Sequence, residues 1–188
     1  MRSIGKNIEL KTGNVVISYN DEGPGDAPVV IFIHGLALNK TMWHKQEALL
    51  KNNYRGIAYD VRGHGKSQAG NEEFSIELFA DDLIHFMDIL TIDKAVICGL
   101  SMGGYIALRA MEKYPERFSG LVLCDTQCVA DTHEGKEKRM KTIENIRATG
   151  TTGFAEQNAK NIFSPVSFTT RKEETNAVIQ MAVMLPKI

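Results

Sequence analysis

A serine between closely spaced glycines stands near the middle of the chain, in the segment Gly99-Leu100-Ser101-Met102-Gly103. An apolar run precedes it and helically spaced apolar residues follow it, which predicts a strand, a very tight turn and a helix. Such a turn leaves no room for side chains at Gly99 and Gly103. We expect Ser101 to adopt a strained backbone conformation that places its hydroxyl at the helix N-terminus, where N–H groups favour negative charge. This arrangement is typical of a nucleophilic serine.

A nucleophilic serine also needs N–H donors aimed at the oxygen that becomes negative when a carbonyl is attacked. The first donor is expected to be the backbone N–H of Met102, the residue after the serine. The second should come from the loop that follows the apolar run 29–33, where the sequence is His34-Gly35-Leu36. We assign it to the N–H of Leu36. The alternative is that this loop is only a tight exit from a strand.

The segment 60–67, with the sequence DVRGHGKS, contains a histidine that invites a catalytic role. For a serine on a turn of this kind, the triad histidine follows the serine along the chain. His64 precedes Ser101, so we do not assign it as the base. We expect instead that Asp60 and Arg62 hold the loop in shape through a charge-assisted hydrogen bond.

The residues that would activate the serine are harder to place. An activated serine needs a general base, almost always histidine, and an acid that orients it. Among the five histidines of the chain, only His133 follows Ser101, and its polar surroundings favour a solvated loop residue. Asp125 follows an apolar run, at the edge where sheets of this kind carry their active sites. Asp125 is our candidate for the acid, with a simple turn or cap residue as the alternative.

Short apolar runs occur on both sides of this serine. Runs of this length, rich in β-branched residues, are typical of strands that are buried on both faces of a sheet. They occupy residues 29–33, 56–59, 95–98 and 120–124.

Helical patterns fill the gaps between these runs. A helix is predicted over 42–51, a second begins after Ser75 as N-cap and carries an apolar stripe to Leu90, and a third ends near Tyr114 because Pro115 follows. Strands and helices in alternation predict an α/β fold with a mostly parallel sheet and helices on both faces.

The start of the chain has a different pattern. Residues 8–10 and 15–19 alternate apolar and polar side chains around Thr12-Gly13-Asn14, which predicts an antiparallel hairpin. We interpret residues 1–128 as the N-terminal part of the sheet core.

In the last third of the chain no further β-branched run appears. We interpret residues 129–188 as a partial helical lid over the sheet edge rather than a second core. Helices are predicted over 136–148, 154–163 and 170–185.

The composition and patterning of the chain argue against several kinds of partner. The chain has 188 residues and a formal net charge of −1, without a basic stripe, so we expect no nucleic-acid partner. No run of about 18 apolar residues occurs, and the N-terminus lacks the apolar core of a signal peptide. We therefore expect a cytoplasmic protein without a membrane partner. No phosphate-binding loop, dinucleotide fingerprint or metal-binding cluster is found in the sequence, so we expect neither a cofactor nor a metal.

The number and positions of the cysteines are consistent with a cytoplasmic protein. Three cysteines are few and odd in number, and Cys98 and Cys124 stand inside apolar runs, with Cys128 close behind. We expect reduced core thiols rather than a disulfide framework.

Four separate motifs occur together in the order of one known family. They are H-G at 34–35, a tryptophan at 43, D-x-R-G-H-G-x-S at 60–67 and G-x-S-x-G-G at 99–104. Over residues 8–128 the chain resembles the α/β-hydrolase fold superfamily, in particular the small cofactor-free enzymes with a helical lid. The segment 99–104 looks most like 3-oxoadipate enol-lactonases and related esterases. The resemblance implies hydrolysis of small carboxylic esters or lactones. Haloalkane dehalogenases and epoxide hydrolases are excluded, because they use aspartate where this chain has Ser101.

The chain departs from that family in one respect. The family continues from the lid into two more strands, which deliver the acid and then the histidine. This resemblance implies that the chain is the N-terminal part of a hydrolase, with both residues beyond position 188 and with weak or no activity alone. The alternatives are a non-catalytic module that binds a small ligand, and a site completed in trans. An unpaired sheet edge would also favour a homo-oligomer.

Overall fold

The computed structural model describes residues 6–10 and 15–185. Within these residues the strands are β1 (Lys6–Leu10), β2 (Val15–Glu22), β3 (Val29–Ile33), β4 (Arg55–Tyr59), β5 (Ala95–Leu100) and β6 (Phe118–Cys124). They form one sheet in the order β1-β2-β4-β3-β5-β6. β2 pairs antiparallel with β1 and β4, whereas β4, β3, β5 and β6 are parallel. The predicted mostly parallel sheet with an antiparallel hairpin is confirmed, and the predicted hairpin turn at 12–14 lies outside the described residues.

Three α-helices belong to this sheet: α1 (His44–Leu50), α2 (Ile76–Ile89) and α3 (Met102–Lys113). The central strands alternate their side chains between two faces. On one face Ile31 and Ile97 pack in the same core cluster as Leu83 of α2 and Ile106 of α3, all four fully buried. The other face carries a smaller cluster around Phe32. Both faces of β3 are therefore buried, as the apolar run predicts.

Local signals in the sequence set the ends of these helices. Ser75 caps α2, with its hydroxyl oxygen accepting a hydrogen bond of 3.1 Å from the N–H of Leu78. α3 ends at Lys113, and Tyr114 separates it from Pro115. The helix predicted over 42–51 begins later than expected, at His44, because residues 40–43 form a 3₁₀ turn.

The chain divides into two compact units, residues 1–128 and 129–188. The second unit contains α4 (His133–Thr149), α5 (Thr151–Ile162), the short α6 (Ser167–Thr170) and α7 (Lys172–Val183). The side chains of Ala155, Ala159 and Ala182 are buried inside this unit. The Thr151 hydroxyl donates a hydrogen bond of 3.1 Å to the carbonyl of Val183. The helix predicted over 170–185 corresponds to α7, and only its first residue, Thr170, belongs to α6. The role of residues 129–188 as a lid stays a prediction.

Two surface features bear on partners. β6 is an outer strand of the sheet formed by the described residues, and its Val122 and Leu123 are 45% and 46% exposed. A homo-oligomer that pairs through this edge stays a prediction. No helix among residues 6–10 and 15–185 is long and apolar enough to cross a membrane.

The three cysteines are free. Cys98 is buried and Cys124 is half-buried, with 4.0 Å between their sulfurs. Cys128 is exposed, so the expectation of a core thiol is wrong for this residue.

Candidate active site

Ser101 lies between β5 and α3 with φ 50° and ψ −110°. A non-glycine residue in this region costs of order 1–3 kcal/mol and persists only where the surroundings impose it. Its N–H donates a hydrogen bond of 3.0 Å to the carbonyl of Cys124 at the end of β6. Its carbonyl accepts one of 2.9 Å from the N–H of Gly104 in the first turn of α3. The strained turn expected from the sequence is therefore present, and backbone contacts on both sides hold it.

The glycines around Ser101 allow backbone segments to touch. A Cβ atom on Gly99 would lie 2.3 Å from the carbonyl oxygen of Gly103. A Cβ atom on Gly103 would lie 2.3 Å from the carbonyl oxygen of Ile33 at the end of β3. Real Cβ atoms essentially never come this close, so both positions require glycine for space, as the spacing predicts.

The loop after β3 borders the same turn. Gly35 is packed close to Leu100, since a Cβ atom there would lie 3.5 Å from the Leu100 carbonyl oxygen. Leu36 is 51% exposed, and its N–H donates no hydrogen bond within the described part of the chain. Ala37 follows with φ 62°, which turns the backbone sharply away. Met102 opens α3, where the first N–H groups have no intrahelical acceptor. Both N–H groups assigned from the sequence are thus free to donate, on two segments that meet at Ser101.

His34 joins this loop to the next one. The N–H of Val61 donates a hydrogen bond of 3.0 Å to Nε2 of His34, so that nitrogen carries no proton. The proton therefore sits on Nδ1, which donates to the carbonyl of Gly35 at 2.8 Å. Burial lowers the pKa of His34 to about 4, so the ring is neutral at physiological pH. Both ring nitrogens are occupied, and His34 acts as a spacer between the exits of β3 and β4 rather than as a base.

His64 also belongs to this packing rather than to a triad. Its ring centroid lies 5.1 Å from that of His34, and its Nδ1 lies 3.1 Å from the carbonyl of Arg62. Burial lowers the pKa of His64. Its Nε2 is buried without a partner among the described residues. Among the described residues His64 makes no hydrogen bond to Ser101, and the expectation that it is not the base stays a prediction.

The predicted bond between Asp60 and Arg62 is wrong. The Arg62 guanidinium is fully buried and donates two hydrogen bonds of 2.7 Å to Asp82 of α2, and one of 2.7 Å to Glu72. Asp60 instead accepts from Lys40, whose Nζ lies 2.6 Å away. Each residue does hold the loop in shape, as expected, but each bonds to a residue distant in the sequence.

Asp125 is exposed and has φ 40°, a positive value that is uncommon for non-glycine residues but that aspartate adopts more often than most. It follows Cys124, whose carbonyl accepts the Ser101 hydrogen bond. Its role as the acid stays a prediction. His133 belongs to the second unit, where its side chain is 90% exposed and lies 3.5 Å from the carboxylate of Glu137. This position agrees with the expectation of a solvated residue.

Two buried charges escaped the sequence analysis. Lys40 and Glu47 are 5% and 2% exposed. Lys40 bonds to Asp60 and to the hydroxyl of Ser18, 2.9 Å away. Glu47 accepts one long bond of 3.4 Å from Asn20, and burial raises its pKa to about 7. No local sequence pattern indicates either residue, because their partners Asp60, Ser18 and Asn20 are at least 20 residues away in the sequence. Among the described residues, no group of three or more acidic, histidine or cysteine side chains could hold a metal ion.

The chain is similar in sequence to known proteins. The family model described as alpha/beta hydrolase fold matches residues 28–164. The chain is similar to 3-oxoadipate enol-lactonase 2 of Acinetobacter baylyi, with 31% identity over 156 residues, which are 83% of this chain and 57% of the lactonase. The chain therefore spans little more than half the length of that relative.

Solved structures show the same similarity in three dimensions. A thermophilic esterase from Thermogutta terrifontis, solved with malate bound, has a TM-score of 0.89 and 33% identity, and the match covers 98% of this chain and 68% of the esterase. The enol-lactonase from Burkholderia xenovorans has a TM-score of 0.87 and 25% identity, over 96% of this chain and 68% of the lactonase.

Proposed function

The chain belongs to the α/β-hydrolase fold family, and on that premise we propose that it hydrolyses small carboxylic esters or lactones with Ser101 as the nucleophile. The observation that carries the proposal is the strained conformation of Ser101 at the first turn of α3. Strain of this kind is retained at functional sites, where it is part of the mechanism. The named relatives, an enol-lactonase and an esterase, support the substrate class.

The proposed reaction runs in two halves. The hydroxyl oxygen of Ser101 adds to the substrate carbonyl carbon while its proton passes to a general base. The carbonyl oxygen becomes negative and is bound by the N–H groups of Leu36 and Met102. The alcohol then leaves with a proton, and water cleaves the acyl group from Ser101. In a lactone the leaving alcohol stays attached to the acyl group, so ring opening and acylation are one step.

The rate expected of this chain is low. The described contacts of Ser101 are backbone contacts and a bond from Thr126, and none of them involves a histidine ring. A serine hydrolase that lacks a triad member keeps roughly 10³–10⁴-fold acceleration over water from binding and the anion-binding N–H groups. We therefore expect slow hydrolysis, to which acylation of Ser101 contributes.

The test is the release of p-nitrophenol from p-nitrophenyl acetate by the chain and by two variants. Ser101→Ala should reduce the release rate but leave it above the buffer background, because binding and the anion-binding N–H groups still assist attack by water. Ser119→Ala, which removes an exposed hydroxyl from the same unit, should leave the rate unchanged. Equal rates for the chain and for Ser101→Ala would remove Ser101 from the reaction.

A second candidate function follows from the same contacts of Ser101. Because none of the described contacts of Ser101 is to a histidine, the site would on this alternative bind a small ester or lactone without turning it over. The discriminating result is a rise in melting temperature with added lactone while no product forms. Product that forms at a Ser101-dependent rate excludes this candidate.

A further inference from the structure

The exit of β6 holds both backbone groups of Ser101. The carbonyl of Cys124 accepts from the N–H of Ser101 at 3.0 Å. Two residues later, the hydroxyl of Thr126 donates a hydrogen bond of 2.8 Å to the carbonyl of Ser101. Asp125 between them has a positive φ of 40°, and the residues on either side of it both bond to Ser101. One three-residue segment therefore binds the serine from two directions.

Close packing fixes the side chain of Thr126. A Cβ atom on Gly104 would lie 2.4 Å from the Thr126 hydroxyl oxygen and 2.6 Å from its methyl carbon. The threonine thus fills the space that the glycine leaves open at the start of α3. Its hydroxyl is held against the Ser101 carbonyl by this contact, so the bond does not depend on a mobile rotamer.

The bond from Thr126 acts on a particular peptide group. The carbonyl of Ser101 and the N–H of Met102 belong to the same planar trans peptide, so they point in opposite directions. The same carbonyl also accepts from the N–H groups of Gly104 at 2.9 Å and Tyr105 at 3.2 Å. The Thr126 hydroxyl adds a side-chain donor at 2.8 Å, and the three bonds together fix the direction of the Met102 N–H. Hydrogen bonds in a chain also polarise one another, so a donor at the carbonyl makes the N–H a stronger donor.

We propose that Thr126 is a positioning residue, whose hydroxyl orients and polarises the Met102 N–H that binds the substrate oxyanion. The proposal rests on the proposed function for its catalytic consequence, but its structural part does not. Thr126 itself touches no reacting atom. Because the oxyanion exists only as the carbonyl is attacked, loss of the hydroxyl should lower kcat and leave KM unchanged.

The test compares Thr126→Val, which keeps the shape and loses the hydroxyl, with Thr126→Ser, which keeps the hydroxyl. Thr126→Val should lower kcat for p-nitrophenyl acetate by about two- to fivefold, because the lost bond only strengthens the Met102 donor and does not itself reach the oxyanion. Thr126→Ser should restore most of the rate. Thr142→Val is the matched control, because the exposed Thr142 hydroxyl also donates to a backbone carbonyl, that of Lys138 at 2.9 Å. It should not change the rate. Thr126→Ala replaces Thr126→Val if the valine variant does not fold.

A second readout is independent of turnover. The amide ¹⁵N resonance of Met102 responds to a hydrogen bond at the preceding carbonyl. It should move upfield in Thr126→Val, return in Thr126→Ser and stay fixed in Thr142→Val. An unmoved Met102 resonance in folded Thr126→Val or Thr126→Ala overturns the proposal whatever the rates are. A Ser101→Ala variant as fast as the natural chain overturns the proposed function instead, and the Met102 resonance then still decides the role of Thr126.

Discussion

Arg62 and Asp82 are joined inside the first unit by two hydrogen bonds of 2.7 Å, with the residues only 1% and 4% exposed. The pair ties the glycine-rich loop after β4 to α2. The planar guanidinium matches the carboxylate with two parallel bonds, a geometry that lysine does not reproduce.

Loss of one partner in this pair should be costly. Asp82→Ala leaves the buried guanidinium bonded to Glu72 alone among the described side chains, and we expect a loss of about 3–5 kcal/mol in the free energy of unfolding. Urea denaturation measures it. Asp131→Ala is the control, because it breaks an exposed pair with Arg139, and surface pairs contribute little. Similar midpoints for the two variants would show that the buried pair does not stabilise the fold.

His34 should make the fold sensitive to acid. Its folded pKa of about 4 lies below the ordinary value of 6.5, so the unfolded chain takes up a proton first as the pH falls. Stability is therefore full above pH 6.5 and declines between pH 6.5 and 4, by roughly 3 kcal/mol for a shift of this size.

The variant that tests this is His34→Asn, studied by urea denaturation at several pH values. It should be less stable than the natural chain at pH 7 but should lose less stability between pH 6.5 and 4. His133→Asn, which alters a ring that is 90% exposed, should keep the slope of the natural chain. An unchanged slope in His34→Asn would contradict the neutral, fully bonded imidazole described above.

Glu47 should make the fold less stable as the pH rises, whereas His34 makes it less stable as the pH falls. Burial raises its pKa from 4.5 to about 7, so the folded chain retains the proton while the unfolded chain loses it. Its contribution to stability is present below pH 4.5 and is lost as the pH rises through 7, by roughly 3 kcal/mol.

Replacement of Glu47 by Gln removes that titration and keeps the bond to Asn20 possible. The variant should gain stability relative to the natural chain as the pH rises from 4.5 to 8. Glu116→Gln, at an exposed position, should follow the natural chain throughout. If Glu47→Gln and the natural chain show parallel pH profiles, Glu47 is not a buried protonated acid.

Gly103 tests how closely α3 approaches β3. In Gly103→Ala the new methyl group would lie 2.3 Å from the carbonyl oxygen of Ile33, so α3 must shift and carry Ser101 with it. We expect a lower melting temperature and loss of Ser101-dependent ester hydrolysis. Gly153→Ala in α5 is the matched control, since a Cβ atom there meets nothing within 4 Å. It should stabilise the chain by about 0.5–1 kcal/mol, the helix preference of alanine over glycine. Equal behaviour of the two variants would contradict the close approach.

The tight turn at Ser101 could be predicted from the sequence because its requirements are local. The spacing of Gly99 and Gly103 around Ser101 specifies a sharp turn, and flanking apolar patterns specify the strand and helix that meet there. The same holds for the cap at Ser75, whose partner Leu78 lies three residues away.

The supporting contacts could not be predicted because their partners are distant in the sequence. Arg62 and Asp60 stand two residues apart, so the sequence suggests that they bond to each other. The folded chain pairs them with Asp82 and Lys40, each twenty residues away. Thr126 has no recognisable motif, and only the folded positions of β5 and β6 bring it to the Ser101 carbonyl.

The most direct test of the central claim is covalent labelling of the chain with a p-nitrophenyl alkylphosphonate. Its tetrahedral phosphorus mimics the attacked carbonyl, and the p-nitrophenolate leaves as the serine oxygen bonds to phosphorus. Peptide mapping by mass spectrometry should show that Ser101 is modified faster than any other residue. This adduct should be absent from Ser101→Ala. A chain in which Ser101 stays unmodified while other hydroxyl groups react would contradict the assignment of Ser101 as the nucleophile.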